Sequence, residues 1–344
     1  MNAPAPIPLL IRAAAPADEA RIEAFLADHP EATPFHRPAW SRAVESATGH
    51  RSHYLVADQG GAIVGLLPLS EIRSRLFGAA LVSAGFAVEG GILALGEAAA
   101  AALAGEAERL ADRVGCPGIE LRGGPVPDGW RAVSGSHAGF VRDLPGDEET
   151  ILKAIPRKQR AEVRRAMGFG LTADIDADTA THHRVYAESV RNLGTPVFPA
   201  ALFRAVLEEF GTDADILTVR RDGEALASVL SLYFKNCVYP YWGGGTFAAR
   251  AARANELMYF ALMRHAAARG CTRFDFGRSK TGSGAFAYKK NWGFEPRPLV
   301  YAHWGAARET SPLSPRYRLQ IALWKKLPLP VANRLGPLIA RGLG

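Results

Sequence analysis

HYLVADQGGAIVGLLPL (residues 53–69) and DILTVRRDGEALASVLSL (residues 215–232) are two versions of one pattern in this 344-residue chain. In each, two strand-like runs flank a dipeptide, Gly60-Gly61 or Asp222-Gly223. Such dipeptides suit a two-residue hairpin turn, because both central residues of that turn take positive φ. Both stretches follow a helical segment, and corresponding residues lie 162 positions apart. The spacing predicts that one α/β unit occurs twice.

The correspondence continues farther along the chain, at an offset of 155 positions. Gly115-Cys116 matches Gly270-Cys271, and each pair follows a long alanine-rich helical segment, residues 97–114 or 252–269. The repeated order is helix, hairpin, strand, long helix and buried strand, which differs from the alternating parallel order of a Rossmann sheet. It is the order of a GNAT-type acyltransferase domain, whose mixed sheet splays where an acyl donor enters.

The fold prediction is therefore a mixed α/β protein with two tandem GNAT-like domains. We expect the first domain at residues 8–150, the second at 151–305, and a basic helical tail at 306–344. The second domain includes a basic connecting helix at 156–168, which begins after Pro156 and ends at Gly168.

Composition excludes several other classes of protein. Hydrophobic residues make up 48% of the chain and charged residues 22%, as in ordinary soluble domains. The three cysteines are too scattered for a disulfide framework or a zinc site, and the histidines lack ligand spacing, so no metal is expected. No run of 18 apolar residues predicts a membrane span. We expect a cytoplasmic protein with reduced thiols.

The net charge of +7 comes from two short segments. In the connecting helix, Arg157, Arg160 and Arg164 share one face, which is either solvated or binds phosphate. In the tail, residues 316–341 alternate short apolar runs with single basic residues. The tail either packs back on the protein or makes a peripheral contact with the inner membrane.

RFDFGRSKTGSGAFAYKKNWGFEP (residues 273–296) is the densest candidate site. Phe274-Asp275-Phe276 predicts a short buried strand that Gly277 ends, and a short helix is expected from about Ala285 to before Gly293. A glycine-rich basic loop before a helix is suited to binding an anion through converging N–H groups. The loop and helix residues expected to bind substrate or phosphate are Arg278, Ser279, Lys280, Gly282, Gly284 and Lys290.

Catalytic candidates occupy the same segment. Lys289 and Lys290 point about 100° apart on a helix, so one of them is expected to face the cleft. That lysine would stabilise an oxyanion or hold a phosphate, the alternative being two solvated lysines. Asp275 would accept a proton from an attacking amine or cap the loop. Upstream, Trp242 and Gly244, in a Trp-Gly-Gly-Gly run, mark either a close approach of backbone to ligand or a plain turn.

With these residues considered together, the chain resembles the FemAB family. The similarity covers roughly residues 20–304 and is most specific in FDFGRSKTGSGAFAYKKNWGFEPRPLVY from residue 274; FHRPAW at 35 and RKQRAEVRRAMGFGL at 157 also contribute. It is nearest to the branch found beside exosortase/PEP-CTERM exopolysaccharide loci. The resemblance implies duplicated GNAT domains that move an amino acid from aminoacyl-tRNA to a peptidoglycan precursor.

The resemblance also assigns roles to residues. Tyr288-Lys289 falls where the family has Phe-Lys, which implies that Lys289 rather than Lys290 stabilises charge at the transferring ester. Lys158, Arg160, Arg164 and Arg165 fall in the segment implied to meet acceptor or tRNA phosphates.

The sequence motifs leave two possible acyl donors. The chain lacks the coiled-coil arm often found in peptidoglycan-bridge enzymes, and a Q/R-x-x-G-x-G/A loop for CoA is not evident after the strand expected at 225–234. Aminoacyl-tRNA and acyl-CoA are both candidate co-substrates, and no tightly bound cofactor is expected.

The sequence favours an N-acyltransferase acting on an amine of a cell-envelope glycan or of a lipid-linked peptidoglycan or exopolysaccharide precursor. The alternatives are an acyl-CoA-dependent enzyme acting on a small molecule, and a non-catalytic adaptor that binds an anionic polysaccharide or a lipid-linked intermediate.

Overall fold

The computed structural model describes residues 7–308 and 317–344, so Arg316 of the predicted tail lies outside the described residues. The strands are β1 (Leu9–Ala13), β2 (Ser52–Gln59), β3 (Ala62–Ser74), β4 (Gly78–Ser83), β5 (Leu93–Ala94), β6 (Gly118–Arg122), β7 (Arg131–Asp143), β8 (Thr172–Asp176), β9 (Ala214–Arg221), β10 (Glu224–Phe234), β11 (Cys237–Gly245), β12 (Arg273–Lys280) and β13 (Arg297–Gly305). The helices are α1 (Glu19–Asp28), α2 (Pro38–Thr48), α3 (Glu97–Val114), α4 (Glu148–Ala154), α5 (Arg157–Met167), α6 (Thr179–Leu193), α7 (Ala200–Phe210), α8 (Ala249–Ala252), α9 (Ala254–Ala268), α10 (Gly284–Asn291), α11 (Arg318–Trp324) and α12 (Leu329–Ala340).

The predicted repeat is present in the order of the elements. The series α2, β2, β3, β4, α3, β6 recurs as α7, β9, β10, β11, α9, β12. Both hairpin turns have the expected backbone, with φ of 62° and 86° at Gly60 and Gly61 and of 52° and 83° at Asp222 and Gly223. The duplicated α/β unit is therefore confirmed, and the basic helix predicted at 156–168 forms as α5.

The chain folds into two compact units, and their limits differ from the predicted domain boundary at residue 150. Of the described residues, the first unit contains 7–134, 300–308 and 342–344, and the second contains 135–299 and 317–341. The reason is strand pairing. Residues 301–305 of β13 pair with β6, and residues 137–143 of β7 pair with β12. Strand β13, which follows the second repeat in sequence, therefore belongs to the sheet of the first unit. Strand β7, which follows the first repeat, belongs to the sheet of the second unit.

Each unit contains a mixed sheet that opens between two parallel strands. The order is β1-β2-β3-β4-β6-β13 in the first unit and β7-β12-β11-β10-β9-β8 in the second. The parallel pair β4–β6 is joined only at Leu81–Ile119 and Val82–Glu120. The pair β11–β12 is joined only at Cys237–Arg273 and Val238–Phe274. Beyond these positions the strands diverge, which gives both units the splayed sheet expected of the GNAT fold.

Each sheet packs against its own long helix. In the first unit Leu103, Ala107 and Leu110 of α3 join the core beneath β2 and β3. In the second unit α9 contributes Met258, Phe260, Leu262 and Met263, all essentially inaccessible to solvent, because helices and sheet surround it on several sides. This core fixes β11 and β12, the strands that border the splayed opening.

None of the helices in the described parts of the chain combines the length and the apolar character needed to cross a bilayer. The three cysteines are buried and unpaired.

Candidate active site in the second unit

The opening between β11 and β12 begins next to Asp275, the first residue of β12 beyond the last β11–β12 pair. Two residues later Gly277 adopts φ +68°, and the register of β12 on β7 shifts between Asp275 and Arg278. A glycine in the left-handed region is typical of a β-bulge, which bends the strand and re-aims its side chains. Asp275 braces this bulge, since its Oδ1 accepts the Gly277 N–H at 2.8 Å.

Helix α10 follows the bulge and places Lys289 over it. The helix begins after Ser283, whose side chain accepts the Phe286 N–H at 3.2 Å, a normal N-cap. From α10 the Lys289 Nζ donates to the carbonyl oxygens of Gly277 at 3.1 Å and Arg278 at 2.8 Å. An ammonium group has three N–H donors, so one remains for a further acceptor.

Two aromatic rings complete the surroundings of this ammonium. The Nζ of Lys289 lies 5.4 Å from the ring centre of Phe140 and 5.5 Å from that of Phe276. Ring faces and carbonyl oxygens both favour a cation. Burial disfavours the charged form of Lys289 and lowers its pKa from 10.5 to about 7, although the carboxylate of Asp275 acts in the other direction.

The electrostatics of Asp275 mirror those of Lys289. Burial raises the pKa of the Asp275 carboxyl, while the Gly277 N–H and the charge of Lys289 act against that shift. A carboxyl and an amine that are both displaced towards neutral pH, and that lie beside the same bulge, form an acid–base pair suited to proton transfer.

Tyr288 adds a buried hydroxyl to the site. Burial raises the pKa of Tyr288 well above its usual range, so the group remains an O–H donor. Neither this hydroxyl nor the indole Nε1 of the neighbouring Trp292, which is fully buried, has a hydrogen-bond partner in the described part of the protein. Tyr288 lies on α10 and Trp292 directly follows that helix, with ring centres 6.3 Å apart.

The residues expected on a loop after Gly277 lie instead on the strand. The strand does not end at Gly277, because the bulge absorbs the glycine and β12 resumes pairing at Arg278–Gly139, Ser279–Ala138 and Lys280–His137. Ser279 is buried, and its hydroxyl lacks a partner within residues 7–308 and 317–344. Gly282 lies in the open turn before α10, Gly284 is the first residue of that helix, and Lys290 is exposed.

Trp242 and Gly244, for which a ligand contact was one prediction, pack against other residues of the protein itself. Trp242 is only 4% exposed and packs edge-on against Phe203, with ring centres 4.8 Å apart. A Cβ added to Gly244 would lie 2.4 Å from the Oγ of Ser189 on α6. The glycine therefore accommodates a helix of the protein itself.

The basic face of α5 is partly neutralised. Glu162 bonds Arg165 at 2.7 Å and Arg253, at the start of α9, at 2.5 Å. The Arg160 guanidinium donates to the Lys153 carbonyl at 3.5 Å. Lys158 and Arg164 are exposed. Of the four predicted phosphate-binding residues of this helix, these two present their charge most directly to solvent.

One feature near α9 was not predicted from the sequence, because the strand that precedes this helix is β11 and not the strand expected at 225–234. The strand before α9 is β11, and the chain after it reads Arg250-Ala-Ala-Arg253-Ala-Asn255. The CoA-binding pattern has small residues where Arg253 and Asn255 stand. Arg253 nevertheless takes φ +55°, a conformation that favours glycine, and the Asn255 side chain lies against Gly245. A search for the pattern after β11 would have found this altered version.

The first unit has a cavity of about 690 Å³ at the equivalent position. It is lined by the start of α3, by the loop Glu89-Gly90-Gly91 and by Glu31 and His36. No lysine lines it, so it offers no counterpart of Lys289. Among residues 7–308 and 317–344, no group of three or more His, Cys, Asp or Glu side chains is arranged to hold a metal ion.

The bulge gives a first prediction. Gly277→Ala places a Cβ at positive φ, at a cost of roughly 1–2 kcal/mol, and shifts the carbonyl groups that hold Lys289. We expect kcat to fall about tenfold, because small displacements of a catalytic group are costly. Gly223→Ala is the matched control, since Gly223 has φ +83° and open space around it in a hairpin of the same unit. Equal losses of kcat in both variants would contradict the role of the bulge.

Comparison with known proteins agrees with this architecture. Residues 153–290 match the family model described as acetyltransferase (GNAT) domain. FemX is similar in structure, with a TM-score of 0.67 and 14% identity over 90% of this chain and 99% of that chain. The C-terminal domain (DUF2156) of a putative lysylphosphatidylglycerol synthetase from Agrobacterium fabrum has a TM-score of 0.55 and 14% identity over 84% of this chain and 92% of its own.

A tandem GNAT protein from the clavulanic acid biosynthesis pathway is also similar, with a TM-score of 0.53 and 14% identity over 88% of this chain and 100% of that chain. None of the curated proteins matches the sequence. The matched domain and these folds confirm the tandem GNAT architecture and the prediction of an acyltransferase, and they confirm the FemAB-like resemblance at the level of the fold.

Proposed function

We propose that this protein is a FemAB-type N-acyltransferase that moves an aminoacyl group from an activated donor to an amine of a cell-envelope glycan or of its lipid-linked precursor. The observation that carries the proposal is the position of Lys289. Its ammonium is held over the bulge of β12, beside the splayed strands, with one N–H donor left. A tetrahedral intermediate of acyl transfer needs such a donor for its oxyanion.

The residues of the site can account for every proton in the reaction. The acceptor amine attacks the donor carbonyl, a C–N bond forms, and Lys289 stabilises the oxyanion. Asp275 accepts the proton that the nitrogen loses. The bond from the carbonyl carbon to the leaving oxygen then breaks, and the proton held by Asp275 passes to that oxygen.

The connection before α9 favours aminoacyl-tRNA over CoA as the donor. A CoA pyrophosphate requires backbone N–H groups at close range, which small residues permit. Here the larger Arg253 and Asn255 stand at those positions, and Arg253 is held by Glu162 of α5. The exposed charges of Lys158 and Arg164 on α5 suit the phosphates of a tRNA end.

An acyl-CoA-dependent enzyme is the second candidate. The matching family model describes an acetyltransferase domain, and the structure of the similar tandem GNAT protein is described as being without AcCoA. In this version the leaving atom is sulfur, and the roles of Lys289 and Asp275 are unchanged.

Native mass spectrometry would decide between the donors. The full chain is mixed with charged total tRNA or with a pool of acyl-CoA thioesters, and the retained species is identified. We expect aminoacyl-tRNA to be retained and an amide product to appear when an amine-bearing glycan precursor is added. Retention of acyl-CoA alone would replace the first candidate by the second, and turnover of neither would contradict both.

Binding of tRNA gives a second prediction. Arg164→Gln should lower the slope of log K against log salt by about 0.7, the change expected when one contact to a single-stranded phosphate is lost. Arg204→Gln, at an exposed arginine of α7 in the same unit, removes the same charge elsewhere and should leave the slope unchanged. An unchanged slope in Arg164→Gln would exclude Arg164 from donor binding.

A further inference from the structure

Helices α11 and α12 have one side fixed to the second unit. Ala332, Gly336 and Ala340 are buried, and at spacings of four residues they share one face of α12. A Cβ added to Gly336 would lie 3.0 Å from the backbone of Val197, so this face packs closely against the chain after α6. A Cβ added to Gly194 would lie 2.5 Å from the Cγ2 of Ile321 on α11.

The opposite side of the same helices is apolar and open to solvent. Its residues, named the tail face from here on, are Leu319, Leu323, Val331, Leu335 and Leu338. Leu319 and Leu323 are 71% and 58% exposed, and Leu338 is 74% exposed. The spacing of four and then three residues from Val331 to Leu338 places the α12 members on one stripe, which differs from the buried one.

Positive charge borders the tail face. Arg318, Lys325, Lys326, Arg334 and Arg341 lie on these helices or beside them. The sequence has no acidic residue after Glu309, so nothing within α11 or α12 offsets this charge. Exposed leucines beside cations are typical of helices that lie in the plane of a membrane, with leucine side chains among the acyl chains and the cations at anionic headgroups.

We propose that the tail face docks the protein on an anionic lipid bilayer. The combination of groups favours a bilayer over a nucleic acid, because RNA phosphates would satisfy the cations but leave the leucines in water. Docking explains why α11 and α12 bury one side against the protein and leave leucines uncovered on the other. The inference rests on the proposed function for its purpose, which is to bring the site to a lipid-linked acceptor.

Vesicle co-sedimentation of the full chain tests the docking without donor or acceptor. Vesicles of phosphatidylcholine and phosphatidylglycerol in equal parts should retain the protein, pure phosphatidylcholine should retain far less, and added salt should weaken binding. Lys326→Gln and Arg334→Gln should each lower the partition coefficient about fivefold, the effect of one cation near an anionic surface. Leu323→Ser and Leu338→Ser should each lower it about tenfold.

Leu76→Ser is the matched control, because Leu76 is 69% exposed and lies outside the tail. It should bind vesicles like the unchanged protein. Equal binding of the leucine variants, or no binding to anionic vesicles, would overturn the proposal. Tail variants that lose tRNA binding and keep vesicle binding would also overturn it. So would a protein that is a dimer in solution by mass and becomes a monomer in Leu338→Ser, because the tail face would then be a contact between two copies. Turnover measured on a soluble acceptor reports on the proposed reaction separately.

Discussion

Replacement of Lys289 by methionine should lower kcat about 10²–10³-fold, the usual effect of losing one donor to an oxyanion. Methionine keeps the length of the side chain and its contacts with Phe140 and Phe276, but it cannot donate to the transferring carbonyl. KM for the donor should change little, because the lost interaction belongs to the transition state. Single-turnover kinetics with the donor identified by mass spectrometry provides the measurement.

Lys290→Met is the control for this substitution. Lys290 is the next residue of α10, but it is exposed, and the same loss of one charge there should leave kcat within a few-fold of the unchanged enzyme. A large loss in Lys290→Met, or unchanged turnover in Lys289→Met, would reject the assignment.

Stability separates folding from catalysis in the same pair. Folding lowers the pKa of Lys289 from 10.5 to about 7, so between these values the unfolded chain binds more protons than the folded one. The free energy of unfolding contributed by this group therefore rises as pH increases from about 7 to about 10.5. Denaturant unfolding of Lys289→Met should lack that rise, while Lys290→Met should retain it.

Local sequence patterns determine much of this fold. The hairpins follow from dipeptides that need positive φ, the ends of α5 from Pro156 and Gly168, and α10 from the Ser283 cap and Gly293. These features depend on residues close in sequence, so spacing alone predicts them. The choice of Lys289 rather than Lys290 as the catalytic lysine comes from the family resemblance, because spacing alone does not distinguish the two.

Features that depend on distant residues were missed. The residue pattern of a strand does not show which other strand it pairs with, so nothing in residues 131–143 indicates pairing with β12. A glycine after a strand fits an end or a bulge equally well, and only pairing with Gly139 shows that β12 continues past Gly277. Gly244 needed a close neighbour, but the sequence could not tell a ligand from the Ser189 side chain.

The pH profile of kcat/KM should have a limb that reports directly on Lys289. If the ammonium form stabilises the oxyanion, its pKa of about 7 requires kcat/KM to fall tenfold per pH unit at higher pH, or about 10²-fold at pH 9. Asp275 acts as a base only when ionised, so its raised pKa should add a fall at lower pH. Kinetics over this range, corrected for hydrolysis of the donor measured without enzyme, would resolve both limbs.

Lys289→Arg tests the assignment of the alkaline limb. Arginine stays charged throughout this range, so the fall above pH 7 should disappear even if the bulkier guanidinium lowers the maximal rate. Asp275→Asn should remove the acidic limb and move the alkaline limb to lower pH, because the carboxylate of Asp275 raises the pKa of Lys289. An alkaline limb that persists in Lys289→Arg would belong to another group, such as the acceptor amine itself. The pKa of that amine is obtained independently by titration of the acceptor, which distinguishes a property of the substrate from one of the enzyme.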